Sequence, residues 1–372
     1  MGKTPWLTII GLGEDGLSGL SSASQDALRE AKIVFGAARH LNLLPKLEAE
    51  IRTWPTPYAY GIPKLLACRG QRIVVVASGD PFWFGAGSVL ARYLDRNEWR
   101  ALPNLSSATL ASAYLGWPLE QTQVFGLHAA PFARLRPALH PGARLLVLVR
   151  DGASIAELGT YITQTGFGSS AMWVLEALGG PRQRVRKTRA ETADFTDIRH
   201  PVCVALDIAG GGATLPLSTG LPDDLFDHDG QITKRPVRAV TLSALAPLQG
   251  QHLWDIGAGS GAIGIEWMLA HTSNRATAIE QNANRATRIR RNAQTLGVDR
   301  LNIFEGSGMA FLQSTPRPAP PDAIFIGGGL SQDLLECLWS YVPAGTRVVA
   351  NSVTLETDTL LARWHAKTSG VL

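Results

Sequence analysis

A glycine-rich turn between a strand and a helix constrains the fold of this chain more than any other stretch. The segment Leu253–Trp267 reads LWDIGAGSGAIGIEW, which is a short apolar strand, glycines at alternate positions and an apolar helix. Glycine lets a ligand approach the backbone closely, and the free N–H groups at a helix start bind polar ligand groups. The pattern predicts a nucleotide-like cofactor at Gly257, Ala258, Gly259, Ser260 and Gly261.

The spacing around this turn fits two cofactors, NAD and S-adenosylmethionine. The glycines, with Ala262 in the third place, match the dinucleotide fingerprint. Glu280 ends the next apolar run about 20 residues further on, where an acid is expected to bind a ribose. Asp255 favours S-adenosylmethionine, because an acid just before Gly-x-Gly-x-Gly resembles motif I of class I methyltransferases. Such an acid would suit a sulfonium and an ammonium group and would repel a pyrophosphate.

Composition describes a globular protein with more than one domain. The chain has 372 residues, and domains typically run to about 100–200 residues. Its net charge of +4 favours an acidic partner, and no block of like charge predicts a nucleic-acid-binding tail. The N-terminal sequence predicts no signal peptide, and no apolar run reaches the length of a membrane span. Three distant cysteines predict neither a metal site nor disulfides, so we expect a cytoplasmic protein.

Three motifs stand out in the first half, and two of them follow apolar strands. Trp6–Ile10 precedes GLGEDG, the β-branched run Arg72–Ala77 precedes SGDPFWFG, and PNLSSA opens a helix at residues 103–108. Open α/β sheets bind ligands at the carboxyl ends of their strands, which is where Asp80 lies, and the serines at the helix start could bind a cofactor. Each also has a purely structural interpretation, namely a tight glycine turn, an ordinary Asp-Pro turn and a serine helix cap.

Together with EALGGPRQRVRKTRA at residues 176–190, these motifs resemble the tetrapyrrole (corrin/porphyrin) methyltransferases over residues 6–208. The resemblance implies a two-lobed α/β fold that binds S-adenosylmethionine between its lobes. It implies cofactor contacts at Gly11, Gly13, Asp80, Ser106, Ser107 and Ala108. The first loop departs from the family, which often has Gly-Pro-Gly-Asp where Glu14-Asp15-Gly16 stands here. The arginines of residues 182–189 fit either a solvated edge strand or a site for substrate carboxylates.

A segment rich in glycine, proline and acids, residues 209–230, predicts a linker between a first domain at 1–208 and a second at 231–372. Five strands alternating with helices in the second domain predict a doubly wound, Rossmann-like parallel sheet. A sixth strand would begin near Gly370, where the sequence ends, whereas related domains continue into a final antiparallel pair. We therefore expect a shortened chain or a sheet completed by a partner subunit in a homo-oligomer.

The second half, with QITKRPVRA, DIGAGSG, FIGGG and ANSVTLET, is similar to the methyltransferase half of fused, decarboxylating corrin methyltransferases of cobalamin biosynthesis. The resemblance implies one S-adenosylmethionine site per domain. It further implies methylation of C5 and C15 of a tetrapyrrole polycarboxylate, and loss of carbon dioxide from its C12 acetate side chain. Further cofactor contacts are predicted at Thr233, Gly306 and Ser307, the serine standing where related domains often have an aspartate.

Substrate contacts in the second domain are predicted at Lys234, Arg238 and Asn351, with Arg235 beside them, because guanidinium and ammonium groups bind carboxylates. Each of these residues also has a purely structural interpretation. The basic residues could be surface charges at a helix start, and Asn351 could simply end a strand. Three other functions stay open, namely an NAD-linked oxidoreductase, an RNA or DNA methyltransferase and a non-catalytic tetrapyrrole-binding scaffold. Ile326-Gly327-Gly328-Gly329 lacks the aromatic residue with which base methylases stack a flipped base.

Overall fold

The computed structural model describes residues 5–368, which form two compact units. Among the described residues, the first unit contains 5–130 and 140–212, and the second contains 131–139 and 213–368. The short segment 131–139 packs within the second unit, where Arg134 forms an ion pair with Asp299 at 2.7 Å.

The strands of the described residues are β1 (Leu7–Leu12), β2 (Ile33–Gly36), β3 (Glu50–Thr53), β4 (Ile73–Ser78), β5 (Trp99–Leu102), β6 (Thr122–Gly126), β7 (Arg144–Leu148), β8 (Ala171–Glu176), β9 (Arg184–Arg189), β10 (Val202–Asp207), β11 (His252–Ile256), β12 (Arg275–Glu280), β13 (Asn302–Glu305), β14 (Ala323–Ile326) and β15 (Arg347–Ala350). The helices are α1 (Ser22–Glu30), α2 (Ala38–Leu41), α3 (Gly61–Leu66), α4 (Ala86–Leu90), α5 (Ser107–Leu115), α6 (Ala153–Ile162), α7 (Arg235–Leu245), α8 (Ala262–Ala270), α9 (Ala283–Thr295), α10 (Gly308–Leu312), α11 (Gln332–Tyr341) and α12 (Leu355–Thr368). None of the helices within residues 5–368 is long and apolar enough to cross a membrane.

The first unit contains a five-stranded parallel sheet in the order β3-β2-β4-β1-β5. The apolar run of β4 is buried from Ile73 to Ala77 and lies at the centre of the sheet. A strand that is apolar at every position is typical of a parallel sheet covered on both faces. Since β1 and β4 are paired neighbours, their carboxyl ends bring two of the predicted loops together.

A second, mixed sheet of the first unit has the order β6-β7-β10-β8-β9. The arginine-rich segment forms β9 at its edge, as one of the two interpretations of the sequence predicted. Arg184 and Arg186 lie on one side of this strand and form ion pairs with the fully buried Glu176 and with Asp197. These contacts anchor the edge strand and engage the two guanidinium groups.

The second unit is built on the sheet β13-β12-β11-β14-β15, in which every pair is parallel. This strand order confirms the predicted doubly wound, Rossmann-like fold. Helix α8 is buried from Ala262 to Met268, because it is apolar around nearly its whole circumference. The sixth strand predicted near Gly370 lies outside the described residues.

Most of the segment predicted as a linker, residues 209–230, packs against the second unit. Leu221 and Phe226 lie in the core of the second unit. Two of the acidic side chains, Asp227 and Asp229, form ion pairs with arginines of α9. The segment from residue 213 onwards thus packs as part of the second unit, because its apolar side chains are buried and its acids have basic partners.

Candidate functional sites

Three loops meet at the carboxyl edge of the parallel sheet in the first unit. The N–H of Gly79, after β4, donates to the carbonyl of Leu12 at the end of β1, at 3.0 Å. The N–H of Asn104, after β5, donates to the carbonyl of Gly79 at 3.1 Å. Gly11 is required by this close approach, because a Cβ there would lie 1.8 Å from the Gly79 oxygen. The sequence motifs GLG, SGD and PNLSS therefore form one continuous site.

A cavity of about 760 Å³ opens at this site, within the range of about 300–1,000 Å³ that small-molecule sites occupy. Its lining comes from the loops after β1 and β4, the start of α5 and strands of the second sheet. Four of the six residues predicted to bind the cofactor line it, namely Gly13, Asp80, Ser106 and Ser107. The other two lie behind the surface, with Gly11 inside β1 and Ala108 buried in the core.

An aromatic wall borders the same cavity. Trp83 and Phe84 line it and pack edge to face, with ring centroids 5.5 Å apart. Phe84 has a φ of 53°, which is unusual for a residue with a side chain, and Gly126 is needed beside it, because a Cβ there would lie 2.7 Å from the Phe84 ring. Strained backbone of this kind is found at ligand sites. The two rings offer an exposed apolar surface to a ring-shaped ligand.

Sequence reasoning missed a charged network in this cavity. Glu14 is buried and accepts hydrogen bonds from Arg39 and from Arg182, the latter at 3.0 Å. Arg39 also donates to His40 Nε2 at 2.7 Å and to Ser78 Oγ at 2.9 Å. Glu14 belongs to the loop that departs from the family pattern, and that departure was the only signal in the sequence.

The glycine turn of the second unit has the backbone that its sequence predicted. Gly257, Gly259 and Gly261 have φ values of 70°, 59° and 77°, in the left-handed region that glycine favours. The turn lies against the glycine loop after β14, because a Cβ on Gly257 would be 2.6 Å from the Gly328 nitrogen. Glu280 accepts from the N–H of Gly259 at 2.8 Å and so fixes the turn. Ala258 is half-buried and Ser260 is buried within the same turn.

Asp255, which was predicted to contact the cofactor, lies inside the fold. The side chain is fully buried and accepts a hydrogen bond from the N–H of Gly264, in the first turn of α8, at 2.9 Å. Its other oxygen, Oδ1, is buried without a hydrogen-bond partner among the described residues. Burial raises the pKa of Asp255, the Gly264 hydrogen bond lowers it and the nearby charge of Glu280 raises it, and together they give a pKa of about 7. Asp255 therefore anchors the helix to the strand from inside the fold.

The predicted substrate contact at Arg238 is a correction. Arg238 is fully buried, and its Nε donates to Glu266 at 2.5 Å while Nη1 donates to Asp223 at 2.9 Å. Carbonyls of Thr233 and Leu221 accept its other hydrogen bonds. A guanidinium paired in this way holds α7 against α8 and cannot reach a substrate without breaking the ion pair. The signal in the sequence was Glu266, the lone acid in an apolar helix.

The other predicted residues of the second unit lie at or near the carboxyl edge of its sheet. Lys234 is exposed and precedes the first residue of α7, and Arg235 is exposed and donates to the Gly220 carbonyl at 2.8 Å. Asn351 follows β15, and its side chain donates to Thr241 of α7 at 3.0 Å. Gly306 donates its N–H to the Glu280 carbonyl at 3.0 Å, and Ser307 caps α10.

Comparisons with known proteins agree with this arrangement. Residues 6–194 match the family model described as tetrapyrrole (corrin/porphyrin) methylases, and residues 224–372 match a precorrin methyltransferase domain. A precorrin-6Y C(5,15)-methyltransferase [decarboxylating] of a Sinorhizobium species is 46% identical over 99% of this chain and 90% of its own length. The protein of the same name from Mycobacterium tuberculosis (strain CDC 1551 / Oshkosh) is 38% identical over 98% of this chain and 92% of its own length.

A solved structure, the C-terminal domain of precorrin-6Y C5,15-methyltransferase from Rhodobacter capsulatus, is 47% identical over 41% of this chain and 81% of its own, with a TM-score of 0.39. These relatives give no support to an oxidoreductase or to a nucleic-acid methyltransferase. One family model spans half of the chain, and the relatives align with nearly all of it. The chain therefore belongs to the tetrapyrrole (corrin/porphyrin) methylases.

Proposed function

We propose that this chain is a decarboxylating precorrin methyltransferase, which methylates precorrin-6B (precorrin-6Y) at C5 and C15 and removes the carboxyl group of its C12 acetate to give precorrin-8. The observation that carries the proposal is the similarity to relatives of that name along both units of the chain. The first unit methylates C5, and the second methylates C15 and decarboxylates. The domains are residues 1–208 and 231–372, joined by residues 209–230, of which those from 213 onwards pack with the second unit.

Each unit binds one S-adenosylmethionine. In the first unit the fit rests on the cavity lined by Gly13, Asp80 and Ser106. In the second it rests on a glycine turn with left-handed backbone, held by Glu280. S-adenosylmethionine supplies an electrophilic methyl group to a carbon of the macrocycle. The protein's contribution is alignment, which lowers such a barrier by about 7–11 kcal/mol when it is complete.

Partners and location follow from the same proposal. The substrate is a tetrapyrrole polycarboxylate, and neither nucleic acid nor a membrane takes part. The enzyme acts in the cytoplasm as a homo-oligomer, and its three cysteines are free thiols. Lys234 and Asn351 contact the substrate of the second unit, since Lys234 is exposed at the start of α7 and Asn351 is only partly buried.

The test is a direct assay of the full chain. The protein is incubated with precorrin-6B and methyl-labelled S-adenosylmethionine, and the product is followed by mass spectrometry. We expect two labelled methyl groups in the product and loss of one carbon dioxide. A folded protein that binds S-adenosylmethionine but transfers no methyl group to the precorrin would refute the proposal.

A further inference from the structure

We propose that Arg39 binds a carboxylate side chain of the tetrapyrrole substrate in the cavity of the first unit, and that Glu14 and His40 are the positioning residues that hold it there. The substrate class rests on the proposed function. The site itself rests on the geometry of the charged network described above.

Arg39 has hydrogen-bond donors that the network does not use. A guanidinium has five N–H groups, and three of them donate to Glu14, His40 and Ser78. The remaining two have no hydrogen-bond partner within residues 5–368. The side chain lines the cavity and is 35% exposed, so a ligand in the cavity can reach it. Arg39 is therefore held firmly on one side and available on the other.

The network carries excess positive charge. The single carboxylate of Glu14 is shared by two guanidinium groups, those of Arg39 and Arg182. Glu14 is nearly inaccessible, with a side-chain exposure of 6%, and Gly180 permits its approach, because a Cβ there would lie 2.5 Å from Glu14 Cβ. One negative charge against two positive charges leaves a net attraction for an anion. Burial lowers the pKa of Arg39, because it makes the charged form of the guanidinium less favourable. An anionic ligand would stabilise that charged form.

His40 orients Arg39 without adding charge. A guanidinium cannot accept a hydrogen bond, so His40 Nε2, at 2.7 Å from Arg39 Nη2, must be the unprotonated acceptor. Burial, and secondarily the charge of Arg39, lowers the pKa of His40 to about 4. The ring is therefore neutral at physiological pH. With Ser78 Oγ at 2.8 Å from the same nitrogen, it fixes the plane of the guanidinium.

The choice of ligand follows from the cavity. Asp80, the predicted cofactor contact, lies two residues beyond Ser78, which Arg39 contacts. The cavity thus presents an acid for the cationic cofactor and a cationic group for an anion. A tetrapyrrole with carboxylate side chains is the anion that the proposed function supplies, and its ring would face the apolar wall formed by Trp83 and Phe84.

The test compares Arg39→Gln with Arg29→Gln in the full chain. Arg29 is a matched control, since it lies on α1, is 72% exposed and pairs only with Asp26 of the same helix among the described residues. Because a hydrogen bond to a charged group is lost, we expect Arg39→Gln to raise the KM for the precorrin in C5 methylation about tenfold or more. S-adenosylmethionine binding, measured by calorimetry, and C15 methylation should stay as in the wild type, and Arg29→Gln should change none of these.

The positioning role of His40 has its own pair of variants. The amide oxygen of His40→Gln can accept from Arg39, and it should keep the KM near the wild-type value, whereas His40→Leu should raise it. A residue that only fills space would not give this difference in KM between the glutamine and leucine variants. The same comparison tests the carboxylate site if Arg39→Gln does not fold.

The outcomes separate the two proposals. If the wild type transfers no methyl group to the precorrin, the proposed function fails and this inference fails with it. If the wild type is active but the KM for C5 methylation is the same in Arg39→Gln, or equal in His40→Gln and His40→Leu, only the carboxylate site is refuted.

Discussion

The protonation state of Asp255 affects how α8 is anchored to β11 in the second unit. Its buried carboxyl accepts one backbone hydrogen bond and faces the like charge of Glu280. Sequence alone identifies the acid, but it cannot show that the strand and helix close over it. Burial is a property of the packed fold. Here it makes Asp255, which was predicted to contact the cofactor, an internal anchor, and it makes the charged form of the carboxyl group unfavourable.

Asp255→Asn should flatten the dependence of stability on pH in the second unit. The folded pKa of about 7 is above the unfolded value, so this group contributes stability below about pH 4 that is lost as pH rises through 7. The variant should match the wild type near pH 4 and exceed it at pH 8–9, by on the order of a few kcal/mol. Hydrogen-exchange protection of β11 and α8 measures this, and parallel pH profiles for the two proteins would contradict it.

At the scale of elements, segments with a strong apolar pattern were predictable, whereas two short strands of the first unit were not. β4 is marked by a run of apolar residues before a turn, and β11 by an apolar run that ends in Asp255 and Ile256 before the glycines. β3 and β5 have four residues each and are mostly polar or half-buried, so no periodicity marks them. They exist as strands because neighbouring strands offer them a ladder of backbone hydrogen bonds, which is a tertiary effect.

The pairing of α7 with α8 leads to a prediction at this scale. Arg238→Met leaves Glu266 as a buried carboxylate with backbone donors but without its cation, and breaking such a pair costs about 3–5 kcal/mol. Arg235→Met, at an exposed position on the same helix, should cost far less. We expect a lower urea midpoint for hydrogen-exchange protection of α8 in Arg238→Met alone. Full stability with a raised KM for the precorrin would instead support a substrate contact at Arg238.

For the whole molecule, the order of motifs along the chain predicts two cofactor sites from the sequence alone. The network of Glu14, Arg39 and Arg182 could not be predicted in this way, because Arg39 and Arg182 lie 25 and 168 residues from Glu14 in the sequence. Only the folding of the first unit brings them together. Motifs within one strand and one loop can be found in the sequence, whereas sites assembled from several loops require the fold.

Two isosteric variants test whether the sites work separately. Asp80→Asn removes the acid from the cavity of the first unit, and Glu280→Gln weakens the acceptor that holds Gly259 in the second. We expect Asp80→Asn to lower C5 methylation at least tenfold and to spare C15 methylation, and Glu280→Gln to do the reverse, because each loses a charge-assisted contact in one site. Mass spectrometry with fragmentation of singly methylated products distinguishes the positions. If either variant, while folded, lost both methylations equally, one cofactor site would be serving both reactions, and the assignment of one site to each unit would be wrong.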